Sequence, residues 1–264
     1  FATLQLEAIN NRCGFLWKWL PADNTAGGLL IGVKEDLFDI SFCNIHTFCI
    51  SMSLKNKQDQ KEWRLLSVYG STYDALKLDF INELHNILAG WDGPTIIGGD
   101  FNLVRYQKDK NNGRINHSWS DKFNAWIEIW SLLEIKMSGR QFTWANNQDN
   151  LIMATLDRVF VSVDCDSIFP GASLKALPRV GSDHTPLILD TGARRVTSPR
   201  IFRFEKWWLD HPDFKKMVID TWNTSVPGKT AMDIWMNKSK LFRKKARGWS
   251  INIEATMKKR KKNP

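Results

Sequence analysis

Residues 95–102, Thr-Ile-Ile-Gly-Gly-Asp-Phe-Asn, decide how the rest of the sequence is interpreted. A short apolar run rich in β-branched residues and stopped by glycine is typical of a buried strand. Alternate side chains of an extended chain point to one side, so the strand should present Asp100 and Asn102 together while Phe101 enters the core. The two glycines before Asp100 lack a Cβ and would let another backbone or a phosphate come close. Taken alone, the stretch also fits a strand followed by an Asx-type turn.

Two later stretches also place polar residues within or next to strand-like runs. One is 156–158 (LDR), inside the run 154–162, and the other is 181–184 (GSDH), directly before the apolar run 186–189. An acid beside an imidazole before a proline-started strand has no obvious packing purpose. Three polar stretches of this kind are difficult to explain as solvated loops, so together they predict a functional site.

In this order and spacing the three stretches resemble the endonuclease/exonuclease/phosphatase superfamily, which has the DNase-I-like fold. The more specific resemblance is to the endonuclease domain of plant LINE-type (non-LTR) retrotransposons, and it covers roughly residues 13–208. The stretches that carry it are 99–102 (GDFN), 142–144 (FTW), 156–158, 182–184, 20–22 (LPA) with the glycines at 27 and 28, and 202–205 (FRFE). The resemblance implies a four-layer α/β sandwich of two packed mixed β-sheets flanked by helices.

Composition places the chain among globular proteins. It has 264 residues, of which 43% are hydrophobic and 25% charged, enough for one large core. No apolar run approaches the ~20 residues of a membrane span. The four cysteines, at 13, 43, 49 and 165, form no C-x-x-C and have no histidine at a zinc-site spacing. They predict reduced thiols in an intracellular protein. The first residue is Phe, which suggests a fragment or a conceptual translation.

The charge is divided unevenly along the chain. Residues 1–190 contain 18 Lys and Arg against 22 Asp and Glu, a net charge of −4, and residues 191–264 contain 19 against 6, a net charge of +13. A slightly acidic first part is expected of a site that binds a divalent cation. It is not expected of a domain that grips DNA by neutralising phosphates alone. The electrostatic attraction to nucleic acid is therefore expected in the tail.

Hydrophobic periodicity predicts strands that alternate with helices, and therefore a layered α/β domain. The predicted strands are 27–34, one or two within 38–54, 62–69, 95–100, 141–145, 154–162, 172–177 and 186–189. The predicted helices are 73–89 and 118–133, and 105–117 is expected to be a loop beside the site. A composition shift near 192–199 predicts an endonuclease-like domain over 1–191 and a basic, Trp-rich helical extension over 192–264.

The resemblance implies a role for each polar residue in the hydrolysis of a phosphodiester. Asp100 would be the general base that activates the attacking water, and Asn102 would position this water and the phosphate. His184 would contact the scissile phosphate as an imidazolium, supported by Asp157, because a carboxylate partner raises the pKa of a histidine. Asp183 would assist at the metal ion, which is expected to be Mg²⁺ or Mn²⁺.

Two further residues would donate hydrogen bonds to phosphate oxygens, namely Tyr69 and Thr143. Each candidate also has a simpler interpretation from the sequence. Tyr69 could lie at the rim of the core, and Thr143 could simply favour a strand. The pair Asp157 and Arg158 could form a local ion pair, and Ser182 could only cap a turn.

The chain departs from the family at its beginning. The family also uses an Asn in its first strand and a Glu, the principal metal ligand, in its second strand. Glu7 in the sequence Leu-Gln-Leu-Glu lies too close to the glycines at 27 and 28 to be that ligand. The sequence therefore predicts an N-terminally truncated domain, and whether this form is active is left open.

Two functions of different classes follow. The first is a Mg²⁺-dependent, DNA-nicking endonuclease domain of a LINE-type retrotransposon, with DNA as its partner. The second is a non-catalytic remnant that binds nucleic acid, RNA included, through the basic tail, whose tryptophans could either stack on bases or pack in a helical core. A lipid-phosphate or nucleotide phosphatase of the same superfamily is a further alternative. The basic run 258–262 favours a nuclear location, and neither a membrane nor an obligate protein partner is indicated.

Overall fold

The computed structural model describes residues 14–22, 28–146, 148–192 and 206–260. Several features named above lie outside these described residues, wholly or in part: Glu7, Cys13, Gly27, the stretches 192–199 and 202–205, and the end of the basic run 258–262. Within the described ranges, no helix is both long enough and apolar enough to cross a membrane. The predicted free thiols are confirmed for Cys43, Cys49 and Cys165.

The chain alternates strands and helices in the predicted manner. Strands are β1 (Phe15–Leu20), β2 (Leu29–Lys34), β3 (Phe38–Ile45), β4 (Cys49–Asn56), β5 (Glu62–Tyr69), β6 (Thr95–Asp100), β7 (Leu133–Glu134), β8 (Met137–Ser138), β9 (Trp144–Ala145), β10 (Met153–Ala154), β11 (Asp157–Val161), β12 (Ser173–Ala176) and β13 (Leu187–Asp190). Helices are α1 (Asp74–Ala89), α2 (His117–Ile129), α3 (Val163–Ile168), α4 (Pro212–Asn223) and α5 (Ala231–Arg260), with 3₁₀ turns at Gln107–Asp109 and Lys206–Asp210.

A mixed six-stranded sheet forms the centre of the fold, in the order β3-β4-β5-β6-β11-β7. β5 and β6 are parallel, and the other neighbours in this sheet are antiparallel. The hairpin β1-β2 and the three-stranded sheet β13-β12-β8 form a second layer. A fourth, two-stranded ladder joins β9 to β10.

The central sheet is buried on both faces. Neighbouring residues of β6 illustrate this, because Ile97 belongs to the core under α1 and α2 while Ile96 belongs to the core under β2, β12 and β13. Strands buried on both faces read as continuous apolar runs rather than as alternating ones. Helices, central sheet and smaller sheets therefore stack in layers. This confirms the predicted α/β class with packed mixed sheets.

Two element boundaries differ from the predictions. The predicted strand 154–162 is two strands, because Thr155 and Leu156 leave the ladder and bond to 141–143 instead: Thr155 Oγ1 donates to Gln141 O at 2.7 Å. The predicted helix 118–133 ends at Ile129, because Ser131 adopts a φ of +50° that stops the helix and sends the chain into β7. The apolar periodicity continued past the helix end because Leu133 is a buried strand residue.

The helices after residue 206 have a small core of their own. Trp208, Phe214 and Ala246 are buried in it, and Trp207 and Trp249 pack against them. The interpretation of these tail tryptophans as packing residues is thus confirmed for Trp207, Trp208 and Trp249. The division of the chain at 191/192 stays a prediction.

Helix α5 is attached to the rest of the protein by ion pairs. Lys244 Nζ lies 3.3 Å from Asp92 and 3.1 Å from Asp164, and Arg247 Nη2 lies 2.7 Å from Asp166. Asp92 precedes the first residue of β6, whereas Asp100 is the last residue of the same strand. The helix therefore docks at the end of β6 that is remote from Asp100.

Candidate active site

Asp100 and Asn102 form one hydrogen-bonded unit at the end of β6. The Asn102 backbone N–H donates to Asp100 Oδ1 at 2.9 Å, and Asn102 Nδ2 donates to Asp100 Oδ2 at 2.9 Å and to Gly70 O at 2.8 Å. Asn102 has a φ of +48°, so the extended chain ends there. The Asx-type turn and the joint presentation of the two side chains are therefore both present, and Phe101 is fully buried as predicted.

Gly99 allows the close backbone contact that the sequence predicted. Its φ is +142°, and a Cβ at this position would lie 2.1 Å from the carbonyl oxygen of Val68 in β5. A side chain at Gly99 would therefore push β5 away from β6. The group that approaches is the neighbouring strand rather than a phosphate.

Asp157 and His184 meet Asp100 across the sheet. Asp157, the first residue of β11, lies directly opposite Asp100 in the antiparallel register. His184, which precedes β13, places Nδ1 2.9 Å from Asp157 Oδ2 and Nε2 3.9 Å from Asp100 Oδ2. Three residues that the sequence predicted for the site thus come from three separate segments into one cluster.

The cluster shifts the pKa values of its members. The hydrogen bond with Asp157 raises the pKa of His184, against the effect of burial, and the charges of Asp157, Asp100 and Asp183 add to the increase. Burial and the charge of Asp157 raise the pKa of Asp100 to about 6, although the hydrogen bonds from Asn102 and the charge of His184 oppose this. The site therefore combines an imidazole whose charged form is favoured with a carboxylate that can still accept a proton.

Thr143 lies beneath this cluster and is 0% exposed. Its Oγ1 accepts hydrogen bonds from the backbone N–H groups of Leu156 and Asp157, each at 3.0 Å. Its carbonyl oxygen accepts from Thr185 N at 2.7 Å. One residue therefore joins the segment that carries Asp157 to the segment that carries His184.

Asp183 lies on the exposed rim of the cluster. Its Oδ2 accepts from Trp144 Nε1 at 2.8 Å, and its carbonyl oxygen accepts from the Ala145 backbone and from Arg179. Burial acts to raise the pKa of Asp183, but the Trp144 bond and nearby positive charges leave it lowered. Ser182 caps the turn, because its Oγ accepts from His184 N at 3.1 Å.

Tyr69 ends β5 beside Asp100 in the parallel register, and its side chain is partly buried. This position fits both interpretations made from the sequence, a residue at the rim of the core and a donor at the mouth of the site. Its backbone N–H donates to Phe48 O at 2.9 Å, which fixes the strand end.

A buried ion network beside the site was not found from the sequence. Arg158 is 4% exposed and binds Glu134 and Asp109, the latter at 2.9 Å, while Arg105 also binds Glu134. A local ion pair between Asp157 and Arg158 is therefore wrong: adjacent strand residues point to opposite faces, which the alternation of the strand could have indicated. The network fastens the 105–110 segment to β11.

The fit to a magnesium ion is incomplete. Carboxylate and amide oxygens are the ligands that Mg²⁺ prefers, and Asp100, Asn102 and Asp183 offer them. However, nowhere in the described ranges do three or more His, Cys, Asp or Glu side chains converge as a metal-binding group. These residues alone do not make a complete metal site.

Comparison with known proteins places this geometry in context. No family model matches the chain. A 149 kDa protein of transposon TX1 from Xenopus laevis is 24% identical over 179 residues, which is 65% of this chain but only 14% of that protein. The chain thus spans about a seventh of the length of this curated relative.

Solved structures share the fold. The endonuclease domain of TRAS1, a telomere-specific non-LTR retrotransposon, superimposes with a TM-score of 0.55 at 12% identity, covering 73% of this chain and 92% of that domain. The 3′-5′ exonuclease NExo of Neisseria meningitidis gives a TM-score of 0.53 at 14% identity, covering 72% and 83%. A second NExo structure, described as a 3′ phosphatase bound to a product DNA hairpin, gives the same score over 72% and 82%.

These similarities identify the class of fold. The chain has the DNase-I-like fold of endonuclease/exonuclease/phosphatase proteins, and the structures that share it include a retrotransposon endonuclease, as the sequence predicted. The plant origin and the missing first strands stay predictions.

Proposed function

We propose that this chain is a phosphodiesterase domain that nicks DNA and derives from a LINE-type retrotransposon. The observation that carries the proposal is the cluster of His184 with Asp157 and Asp100, in which two carboxylates from neighbouring strands face opposite nitrogens of one imidazole. The names of the TX1 and TRAS1 proteins and the DNA hairpin bound to NExo support DNA as the substrate class.

His184 is proposed to bind the scissile phosphate. Its Nδ1 is taken by Asp157, so Nε2 is the nitrogen that can donate to a phosphoryl oxygen. The raised pKa of His184 favours the imidazolium, which donates at both nitrogens. A fixed cationic donor stabilises the negative charge that develops on the phosphoryl group in the transition state.

Asp100 is proposed to be the general base. A carboxylate with a pKa of about 6 is still largely ionised at pH 7, and it accepts a proton from water more readily than an ordinary aspartate does. Both N–H bonds of the Asn102 amide donate within the protein, to Asp100 and Gly70. Its Oδ1 is then the atom that can orient the attacking water.

The remaining candidates take supporting roles in the proposal. Tyr69 donates to a phosphate oxygen from the end of β5. Thr143 is fully buried and bonds to the Asp157 backbone, so we assign it the positioning of Asp157 in place of the predicted phosphate contact. Dependence on Mg²⁺ or Mn²⁺, with Asp183 assisting, rests on the resemblance. The nuclear location rests on the basic run 258–262, and the domain division rests on the composition shift near 192–199.

The experiment that tests this function is nicking of supercoiled plasmid with Mg²⁺ and with EDTA. We compare the parent chain with His184→Ala and with His117→Ala, an exposed histidine at the start of α2 that serves as the matched control. Nicking that needs Mg²⁺, persists in the His117 variant and disappears in the His184 variant is the expected result. Equal nicking by both variants refutes the assignment, and nicking in EDTA refutes the cation dependence. Folded protein without any nicking supports the non-catalytic alternative.

A further inference from the structure

The helices after residue 206 pack three of their tryptophans into a core but leave two exposed. Trp208 is 3% exposed, whereas Trp222 at the end of α4 is 42% exposed and Trp235 near the start of α5 is 58% exposed. Indole is a large side chain that normally buries most of its area. Two such rings exposed within fourteen residues are therefore a feature that core packing does not explain.

One lysine connects the segments that carry the two exposed indoles. Lys238 Nζ donates to the carbonyl oxygen of Trp222, and Trp235 precedes Lys238 by three residues, so it lies on the same face of α5. The Trp222 ring rests edge-on against Phe242 at 6.1 Å, which anchors it to the helical core. We call Trp222, Lys238 and Trp235 the Trp222–Trp235 surface.

The segment that carries this surface has a positive net charge. Residues 206–260 contain 13 Lys and Arg against 5 Asp and Glu, a net charge of +8, and two of these cations, Lys244 and Arg247, form ion pairs with Asp92, Asp164 and Asp166. The nearest acid in sequence to Trp235 is Asp233. Its carboxylate accepts from the Thr230 backbone at the start of α5, so its charge is offset by the helix N-terminus.

We propose that the Trp222–Trp235 surface binds single-stranded nucleic acid. Exposed aromatic faces stack on unpaired bases, and Lys238 with other lysines of the segment can neutralise phosphates, which is how sequence-tolerant single-strand binders work. A duplex offers no unstacked bases to the indoles, so single strands are preferred. Single-stranded DNA and RNA both supply this chemistry. The inference is independent of the proposed nicking activity, because it uses none of the residues of the candidate active site.

The test measures binding of labelled oligonucleotides of about 12 nucleotides, oligo-dT and oligo-rU, by fluorescence anisotropy with the full chain in EDTA. Loss of one stacked base on an aromatic side chain corresponds to a weakening of about tenfold. We therefore expect Trp235→Ala to bind about tenfold more weakly and Trp235→Phe to bind like the parent chain. Trp235→Leu keeps an apolar side chain but has no ring, so it should bind as weakly as Trp235→Ala.

Two control variants show whether binding belongs to this surface. Ile129→Ala removes an apolar side chain at the end of α2 that is about as exposed as Trp235, and it should leave binding unchanged. His184→Ala should also bind normally, so a failure of the nicking assay does not affect this result. Tighter binding of oligo-dT identifies single-stranded DNA as the ligand, and tighter binding of oligo-rU identifies RNA.

Three outcomes overturn the proposal. Unchanged binding by Trp235→Ala shows that the ring is not used. Tight binding by Trp235→Leu shows an apolar docking surface, of the kind that a protein partner would use. A duplex bound as tightly as the single strands, with the same dependence on Trp235, shows that base stacking is not the interaction.

Discussion

Replacing Thr143 with valine should destabilise the protein and disturb the site without touching the substrate. Valine has a similar shape but no hydroxyl, so the N–H groups of Leu156 and Asp157 would lose their common acceptor in a fully buried position. Each orphaned buried donor costs about 1–3 kcal/mol. The free energy of unfolding should therefore fall by about 2–6 kcal/mol, a large part of the ~5–15 kcal/mol typical of a domain.

The matched variant is Thr143→Ser, which keeps the hydroxyl and removes one buried methyl group. Burial of a CH₂ group contributes about 0.8 kcal/mol, so the serine variant should lose about 1 kcal/mol. Urea unfolding measures both variants. We also expect NMR titration to show a lower pKa of His184 in Thr143→Val, because Asp157 is displaced from Nδ1.

Binding separates the positioning role from a direct phosphate contact. A positioning residue should lower kcat and leave KM for a short DNA substrate nearly unchanged, and Thr143→Ser should restore kcat. A loss of stability below about 1 kcal/mol in Thr143→Val, together with a raised KM, would refute the positioning role.

Three further variants test the electrostatics of the site. Asp100→Asn should abolish nicking but stabilise the protein at pH 7 by about 1–2 kcal/mol in urea unfolding. The raised pKa of Asp100 disfavours the folded state by up to about 3 kcal/mol above pH 6, and the substitution removes this penalty. Loss of one hydrogen bond from Asn102 offsets part of the gain. The gain should vanish below about pH 3, where the parent carboxyl is protonated both folded and unfolded. Asp157→Asn should lower the pKa of His184, so the alkaline limb of the pH–rate profile should move to lower pH; an unmoved limb argues against His184 as the charged donor. Glu134→Ala leaves the buried Arg158 with Asp109 as its one remaining acidic partner and should cost about 3–5 kcal/mol in thermal or urea unfolding, whereas a cost below about 1 kcal/mol means that water replaces the carboxylate.

The sequence indicated which polar residues come together better than it indicated what supports them. Asp100 and Asp157 were found because acids that interrupt apolar strands are conspicuous, and His184 because an imidazole beside an acid has no packing purpose. The distances between these side chains depend on the pairing of β6 with β11, which are remote from each other in the sequence. A local sequence pattern does not indicate the register in which two remote strands pair.

Burial is the property that the sequence could not supply. Thr143 is a common strand residue, and only the fold shows that its hydroxyl is enclosed by two backbone donors. The partners of Arg158 lie 24 and 49 residues away, so no local pattern indicated them. In the tail, the same residue type packs at Trp208 and is exposed at Trp235, and composition alone cannot separate the two.

The attachment of helix α5 would compete with a bound nucleic acid for two cations of the helix. Lys244 and Arg247 are held by three carboxylates, Asp92, Asp164 and Asp166, which occupy cations that a nucleic acid phosphate would otherwise bind. If these two side chains bind a nucleic acid phosphate, they must first leave their carboxylates, so the ion pairs of the helix would oppose that binding. Added salt weakens both the ion pairs of helix α5 and the attraction of its cations to a phosphate. Neutralising the three carboxylates would shift the equilibrium toward the nucleic acid.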